Sequence, residues 1–378
     1  MRYVKIKEVA EVIMGQSPDS NSYNDKGIGI PFFQGKSEFG KINPIIKMYC
    51  TEPKKTAQPL DILMSVRAPV GDVNISNIDC CIGRGLCSIR SKENINYKYL
   101  YYYLLTQKKN LENQSTGSTF KAINKNIILD IEIPITDIET QNKIVEVLDK
   151  AQDLIDKKIE QIDLLDELVK SRFIEMFGNV ISNSKHWKMK QLKDIAILKS
   201  GGTPSRKEPK YFQGEIPWIT TVSLGKNIID ENDAVEFITQ EAIEKSSTKL
   251  IESNSLLFGM RVGVGKISIN KIPMCTNQDI VAITKIDENE YNLICLKKII
   301  ENYSDYFNNQ KRGATIQGIK SETLKNINIP ILPIELQNEF AVFVEKIDSI
   351  KAAAEKSLEQ LNDNFNSLIQ KAFKGELF

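Results

Sequence analysis

The segments IPITDIETQN (Ile133–Asn142) and IPILPIELQN (Ile329–Asn338) decide the fold, because they match at seven of ten positions and stand 196 residues apart. Unrelated segments of ordinary composition would agree at fewer than about one position in ten. Towards the N-terminus the offset between matching residues falls to 194 and then to 186, so the second copy carries additional loop residues. A repeat of about 190 residues is far longer than a solenoid repeat. The sequence therefore predicts one duplicated unit.

Each copy begins with a segment of mixed secondary structure. Short runs rich in Ile, Val and Leu, bounded by Gly, Pro, Asn and Asp, predict strands. The predicted strands are Asp61–Val66, Gly71–Ile78 and Gly85–Arg90 in the first copy, and Ser255–Arg261, Gly265–Ile272 and Asp279–Thr284 in the second. The spacing of Leu, Tyr and Ile predicts a helical segment in each copy, over Asn96–Asn113 and Tyr291–Asn309.

Each copy ends in a long helix on which apolar residues recur every seven positions. Asp137 or Thr140 could cap the first helix. Sustained spacing of seven is typical of a coiled-coil stripe, and pairing the two helices is the simplest way to bury both stripes. The candidates for helix pairing or partner docking are Leu148, Ile155, Ile162, Val169, Phe340, Ile347, Leu361 and Leu368.

These patterns predict an α+β fold with pseudo-twofold duplication, in which two mixed lobes are separated by two long antiparallel coiled-coil-like helices. The predicted boundaries are 1–136 for the first lobe, 137–178 for the first helix, 179–188 for a linker, 189–332 for the second lobe and 333–378 for the second helix. Two similar surfaces at a fixed separation suit two half-sites on duplex DNA.

Composition excludes several classes of protein. The chain has 378 residues and a formal net charge of +1. No apolar run approaches the ~18 residues of a membrane span, and the first residues lack the apolar core of a signal peptide, so a cytoplasmic location is expected. The only His, His186, lies in the predicted linker, and the six Cys show no C-x-x-C pair, which predicts reduced thiols and no metal site.

Catalytic motifs are also missing from the sequence. Gly263-Val264-Gly265-Lys266 is similar to the end of a P-loop, but Met260 replaces the earlier Gly and Ile267 replaces the Ser or Thr. The sequence has no plausible catalytic triad, because its only His, His186, lies alone in the predicted linker. No catalytic residue is predicted.

Polar and basic loops recur at equivalent positions of the two copies. The turns Gly15–Pro18 and Gly201–Lys207 combine Gly and Pro with polar groups that suit phosphates or base edges. Arg67 and Arg261 each follow an apolar strand, and a rigid base favours bidentate binding to guanine or phosphate. For the two turns, the alternative is an ordinary surface turn. For the two arginines, the alternative is a structural ion pair.

The copies differ where Arg84 in the first corresponds to Gln278 in the second. Arg reads guanine whereas Gln and Asn read adenine, so this difference predicts two different target sequences. The loops 116–124 and 312–320 form a further matched pair. DNA contact is the predicted role of this pair, and a turn that caps the lobe is the alternative. The predicted DNA-binding residues are Gln16, Ser17, Gln34, Arg67, Arg84, Thr119 and Lys121 in the first copy, and Thr203, Ser205, Arg206, Lys207, Arg261, Asn277, Gln278, Arg312, Thr315 and Lys320 in the second.

The whole arrangement resembles the specificity (S) subunit of type I restriction–modification systems. The resemblance rests on the two-copy layout, the paired G-x-[ST]-P turns, the Ile-Pro motifs that precede each long helix, and the C-terminal LIQKAFKGELF of Leu368–Phe378. It covers essentially the whole chain. It implies two target-recognition domains, each reading one half of a split sequence in double-stranded DNA, and helices that fix the gap between the halves.

The resemblance also implies partners and cofactors. The helices would dock two methyltransferase (M) subunits, and motor-nuclease (R) subunits would join for restriction. S-adenosylmethionine would belong to M, and ATP and Mg to R, so that this chain would bind no cofactor, catalyse no reaction and contact no membrane. Since the net charge is only +1, the M subunits are expected to supply much of the electrostatic affinity for DNA. A stand-alone DNA-modifying enzyme and a coiled-coil adaptor that binds only protein are the alternatives.

Overall fold

The computed structural model describes residues 2–115, 121–311 and 317–378. The chain divides into two compact units. Unit 1 runs to Glu160 and includes Glu355–Phe378, whereas unit 2 is Gln161–Ala354. Each unit therefore contains one lobe and a part of both long helices, which span Ile138–Phe177 and Ile334–Lys374. The boundaries predicted for the lobes, the long helices and the linker follow the sequence repeat rather than these two units, and they remain predictions.

The lobe of unit 1 is built on two larger sheets and one strand pair. The antiparallel sheet has the order Ala10–Met14, Leu86–Ser91, Ile62–Ser65, Val73–Ile75. The mixed sheet has the order Tyr23–Asn24, Tyr49–Cys50, Ile30–Phe33, Cys80–Ile82, Thr56–Ala57. Arg2–Lys5 pairs with Glu132–Ile135. The three strands predicted in the first copy are thus confirmed: two of them are shorter than predicted, and the third, Leu86–Ser91, ends one residue later than predicted.

The lobe of unit 2 repeats this plan. Its first sheet has the order Ile197–Ser200, Ile280–Thr284, Ser255–Gly259, Ile267–Asn270, Ile228–Ile229. Its second sheet has the order Glu236–Ile238, Ile216–Ile219, Met274–Thr276, Leu250–Ile251. Met189–Gln191 pairs with Asn328–Pro330. The parallel pair Phe33↔Ile82 in unit 1 corresponds to Ile219↔Thr276 in unit 2, so the duplication extends to strand register.

Short helices complete the lobes, and two of the predicted ones are interrupted. The helices are Ile6–Val9, Tyr97–Thr106, Lys108–Gln114 and Lys125–Leu129 in unit 1, and Leu192–Ile195, Gln240–Glu244, Leu293–Glu301, Ser304–Asn309 and Ser321–Lys325 in unit 2. Single-turn 3₁₀ helices cover Ser20–Ser22, Lys36–Glu38, Pro209–Phe212 and Glu231–Asp233. The helical segments predicted over Asn96–Asn113 and Tyr291–Asn309 are confirmed, but each is divided into two helices: the first bends at Gln107, and the second is interrupted at Asn302 and Tyr303. The bend brings Leu111 against Gly71, a contact that local spacing cannot predict.

The matched segments Ile133–Asn142 and Ile329–Asn338 join each lobe to its long helix. Asp137 caps the first long helix, since its Oδ1 accepts a hydrogen bond from the Thr140 amide at 2.8 Å. That bond holds the pKa of the Asp137 carboxyl below its ordinary value. Gln141 is fully buried, and its Oε1 accepts from the Asn96 amide at 2.9 Å. In unit 2, Gln337 Oε1 accepts from the Asn292 amide at the same distance.

The long helices pack in opposite directions in unit 2. The rings of Phe173 and Phe340 lie 5.4 Å apart, and Lys351 bonds to Asp166 at 2.6 Å. In unit 1, the aromatic helix Tyr97–Thr106 packs on the end of the second long helix, with Tyr99 and Phe373 ring centroids 5.0 Å apart. Among the described residues, no helix has an apolar stretch long enough to cross a membrane.

Only some of the apolar residues that recur every seven positions on the long helices are buried. Leu148, Ile155, Val169, Phe340 and Ile347 are buried. Ile162, Leu361 and Leu368 are only half-buried. The core instead takes Phe365, Ile369, Ala372 and Phe373. A straight helix drifts about 20° per heptad, so a strict spacing of seven leaves the packed face over several turns.

Candidate nucleic-acid interface

Several loops of unit 1 are joined to one another by backbone hydrogen bonds. Gly15 N donates to Leu86 O at 2.9 Å, and Gln16 N donates to Ile82 O at 3.0 Å. Gly83 N donates to Phe33 O, Val66 N to Gly85 O and Ile123 N to Val66 O, at 2.8, 2.9 and 3.0 Å. We call residues 15–18, 34, 66–71, 83–85 and 121–123 the loop face of unit 1.

The same five bonds recur in unit 2. They are Gly201 N to Ile280 O (3.0 Å), Gly202 N to Thr276 O (2.8 Å), Asn277 N to Ile219 O (3.0 Å), Met260 N to Asp279 O (2.8 Å) and Ile319 N to Met260 O (3.0 Å). Every donor and acceptor stands at the position equivalent to its counterpart in unit 1. We call residues 201–207, 220–224, 260–265, 277–279 and 317–320 the loop face of unit 2.

The close approach of the first turn to its neighbouring loop requires glycine. A Cβ on Gly15 would lie 2.1 Å from Gly83 O, and a Cβ on Gly201 would lie 2.2 Å from Asn277 O. Both obstacles are backbone atoms, which cannot rotate away. Gly15 and Gly201 therefore allow the first turn of each copy to lie close to the neighbouring loop, which carries the predicted DNA-binding residues.

We expect Gly15→Ala to destabilise unit 1 by about 1–3 kcal/mol, because overpacking must displace the backbone of one loop. The matched control is Gly35→Ala, since a Cβ on Gly35 meets nothing within 4 Å. Thermal denaturation of the two variants compares the costs. Equal melting temperatures for Gly15→Ala and Gly35→Ala would contradict the close approach of the loops at Gly15.

The loop face of unit 1 presents exposed cations. Arg67, Arg84 and Lys121 are exposed. Within the described ranges, no carboxylate lies within 4.0 Å of their charged groups. The Arg84 amide donates to Ser17 Oγ at 3.3 Å, which brings two predicted residues together. Gln16 and Gln34 are exposed on the same face.

The loop face of unit 2 pairs the equivalent residues differently. Thr203 Oγ1 donates to Gln278 Oε1, at the positions that Ser17 and Arg84 hold in unit 1. Arg261 is 57% exposed and lies 3.6 Å from Asp279 Oδ1, so its guanidinium is loosely paired. Its stem lies close to Gly318, where a Cβ would come within 2.8 Å of Arg261 Cγ. Ser205, Lys207 and Lys320 are exposed.

Two predicted residues are engaged within the protein. Arg206 donates to both carboxylate oxygens of Glu236, at 2.7 and 2.6 Å, and lies 4.1 Å over the ring of Phe212. The hydrogen bonds raise the pKa of Arg206 and lower that of Glu236. Asn277 is buried, and its Oδ1 accepts from the Asp279 amide at 3.3 Å. These positions favour structural roles for both side chains.

Three predicted residues, Thr119, Arg312 and Thr315, lie outside the described residues. Among the residues that the structure does describe, no group of three or more His, Cys, Asp or Glu side chains could hold a metal ion. All six Cys are buried and unpaired. Burial raises the pKa of the Cys80 thiol to about 11 and that of Cys87 to about 12.

The structure also identifies residues that the sequence patterns did not single out. Gln141 and Gln337 are the buried joints of the repeated motif, a role that their place in both matched segments could have indicated. Val222 and Val262 are 80% and 60% exposed on the loop face of unit 2. An apolar residue directly after the repeated Arg was the available signal for Val262.

Both repeats match the profile of one known family. The profile of the family described as "Type I restriction modification DNA specificity domain" matches residues 1–164 and again 184–363. The putative type I restriction enzyme MjaX specificity subunit of Methanocaldococcus jannaschii is 49% identical over 135 residues, covering 35% of this chain and 32% of that protein. The EcoR124I/EcoR124II specificity subunit of Escherichia coli is 30% identical over 167 residues, covering 43% of this chain and 41% of that protein. These matches thus span less than half of either relative.

Solved structures share the fold over nearly the entire chain. The crystal structure of a type I restriction–modification S subunit from M. genitalium aligns with a TM-score of 0.53 at 16% identity, covering 98% of this chain and 96% of that one. A chain from the structure described as the basis of complex assembly and conformational transition of the type I R-M system aligns with a TM-score of 0.58, also at 16% identity, covering 100% of this chain and 98% of that one.

Proposed function

This chain belongs to the type I restriction modification DNA specificity family, and on that premise we propose that it is the DNA-recognition subunit of a type I restriction–modification complex. The loop face of each unit reads one half of a split target in duplex DNA. The long helices fix the gap between the halves and dock methyltransferase subunits. The chain contributes recognition and no catalytic step.

One observation carries this proposal. Five equivalent backbone hydrogen bonds hold the two loop faces in the same geometry, while the side chains that these faces display differ. Arg84 stands opposite Ser17 in unit 1, and Gln278 stands opposite Thr203 in unit 2. A shared scaffold with different polar edges suits two readers of different base sequences, since base edges specify and the backbone contacts only position.

Exposed apolar side chains on the helices support the docking role. Leu164 and Leu168 lie one turn apart on the first long helix and are 59% and 47% exposed, and Ile174 is 56% exposed. An apolar surface of this kind is typical of a protein interface. In the proposed complex, S-adenosylmethionine binds to the methyltransferase subunits, and ATP and Mg bind to motor-nuclease subunits, all in the cytoplasm.

We expect Arg261→Ala to weaken recognition at one half-site only, by about 1–3 kcal/mol if its bidentate contact is lost. Arg67→Ala is the matched variant in unit 1 and is expected to affect the other half. Competition binding of the complex assembled with methyltransferase subunits, using duplexes altered in one half at a time, measures both. Equal losses at both halves for either variant would contradict the assignment of one half to each unit.

A further inference from the structure

The tip of the hairpin that carries Arg261 is held by backbone bonds. It joins the strands Ser255–Gly259 and Ile267–Asn270. Gly259 N donates to Lys266 O at 2.9 Å, and Lys266 N donates to Gly263 O at 3.0 Å. Gly263 has a φ of +83°, which a residue with a side chain rarely adopts. The tip is therefore a defined turn that displays its side chains in fixed directions.

Val262 projects from this tip beside the predicted base-reading arginine. It is 60% exposed, whereas Met260, two residues earlier, is buried and anchors the turn. A β-branched side chain has few rotamers, so its two methyl groups are presented without a large entropic cost on binding. The exposed charged side chains of this tip are Arg261 and Lys266, and its other valine, Val264, is half-buried.

A second exposed valine lies in the adjacent loop of the same face. Val222 is 80% exposed, in a turn closed by the Ser223 amide donating to Thr220 O at 3.1 Å. Leu224 is buried and reaches to within 3.6 Å of a Cβ built on Gly259, so this loop packs against the hairpin. The loop face of unit 2 thus combines a cation with apolar groups.

Unit 1 lacks this apolar character at the equivalent position. Ala68 follows Arg67 there, and Pro69 follows Ala68, so the residue beside the arginine carries one methyl group. Val66 and Met260 make the same backbone bonds, but the turns after them differ in backbone as well as in side chains, because Pro69 stands where Gly263 has a φ of +83°. Any property conferred by Val262 should therefore belong to one half-site.

We propose that Val262 is a specificity-determining residue that contacts the C5-methyl group of a thymine in the half-site read by unit 2. The inference rests on the proposed function. Thymine presents the only methyl group among the four bases in the major groove, where an apolar side chain recognises it. Because Val262 adjoins Arg261 in the chain, this thymine lies within about two base pairs of the base that Arg261 contacts, since consecutive Cα atoms are about 3.8 Å apart.

Replacing thymine by deoxyuridine removes the methyl group and nothing else, so it tests the contact directly. The probes are duplexes of the determined target in which each thymine of the unit 2 half is replaced singly. With the complex of the unaltered chain and methyltransferase subunits, one replacement is expected to weaken binding about fourfold, the effect of one buried methyl group. With Val262→Ala, thymine and deoxyuridine at that position are expected to bind equally.

Val262→Thr is the second variant, since it keeps the shape and replaces one methyl group by a hydroxyl. Retained binding to the unit 1 half shows that either variant still folds and assembles. The proposal is overturned if no deoxyuridine replacement matters, if the discrimination persists in Val262→Ala, or if the half-site contains no thymine on either strand. A complex without any sequence preference would instead overturn the proposed function.

Discussion

Asp61→Ala is expected to destabilise unit 1 by about 3 kcal/mol, because it removes a buried carboxylate acceptor and each lost hydrogen bond to a charged group costs roughly 1.5–3 kcal/mol. Asp61 is 2% exposed. Its carboxylate accepts hydrogen bonds from Arg90 Nε and Nη2 at 2.8 and 2.7 Å, from Ser88 Oγ at 2.7 Å and from the Gln58 amide at 2.9 Å. The bonds with Asp61 raise the pKa of Arg90. Without Asp61, the buried Ser88 hydroxyl loses its acceptor, and the Arg90 guanidinium, which is 31% exposed, loses its counter-charge.

The second copy provides a matched control, because it fills the same positions without charge. Ser255, Ala282 and Thr284 replace Asp61, Ser88 and Arg90. Asn270, at the position of Ser76, completes the neutral arrangement by accepting from the Ser255 amide at 2.8 Å. Equivalent strands can therefore be built around either set.

We expect Asp61→Ser alone to be less stable than the variant that also carries Ser76→Asn, Ser88→Ala and Arg90→Thr. Thermal and urea denaturation, with hydrogen exchange of Leu86–Ser91, measure the two. The account of the buried network is contradicted if Asp61→Ser costs less than about 0.5 kcal/mol, the range of surface substitutions. It is equally contradicted if the quadruple variant is the less stable of the two.

Gln337→Leu is expected to cost about 3 kcal/mol, since each buried polar group left without a partner costs roughly 1–3 kcal/mol. Gln337 is fully buried. Its Nε2 donates to Glu290 O and Leu332 O, both at 2.9 Å, and its Oε1 accepts from the Asn292 amide. Leucine has a similar volume, so the loss reports the hydrogen bonds rather than a cavity.

The neighbouring Asn338 supplies the control for that experiment. It is exposed and accepts from Asn292 Nδ2 at 2.9 Å, so Asn338→Ala should cost no more than about 0.5 kcal/mol. Gln141→Leu should repeat the large loss in unit 1, where Gln141 makes the equivalent bonds. A small loss for Gln337→Leu, or an equal loss for Asn338→Ala, would mean that the motif does not join lobe to helix.

Much of the fold followed from the repeat. The segments around Gln141 and Gln337 located both long helices, and alternation of turn residues with apolar runs located the central strands such as Ile62–Ser65. The bend at Gln107 did not follow, because it depends on Leu111 packing against Gly71, far away in the sequence. The burial of Phe365 and Ile369 in place of Leu361 and Leu368 likewise depends on the aromatic helix that covers them.

The sequence predicted which loops of the candidate site correspond, but it predicted fewer of the contacts that their side chains make. Ser17 was predicted to correspond to Thr203, and Arg84 to Gln278. The structure places Arg84 against Ser17 and Gln278 against Thr203. The partner of Arg206 did not follow, since Glu236 lies 30 residues further along the chain. Sequence spacing shows which residues could face a ligand, whereas tertiary contacts decide which of them remain available.

Sequencing of methylated adenines in cells that express this chain with its methyltransferase subunit, and in cells that lack this chain, tests the central claim most directly. The account predicts methylation that depends on the chain and marks a split motif, with two specific halves of different sequence and a gap of fixed length. Arg261→Ala should relax one half and leave the other unchanged. A single uninterrupted motif, or methylation that is the same without the chain, would contradict the account.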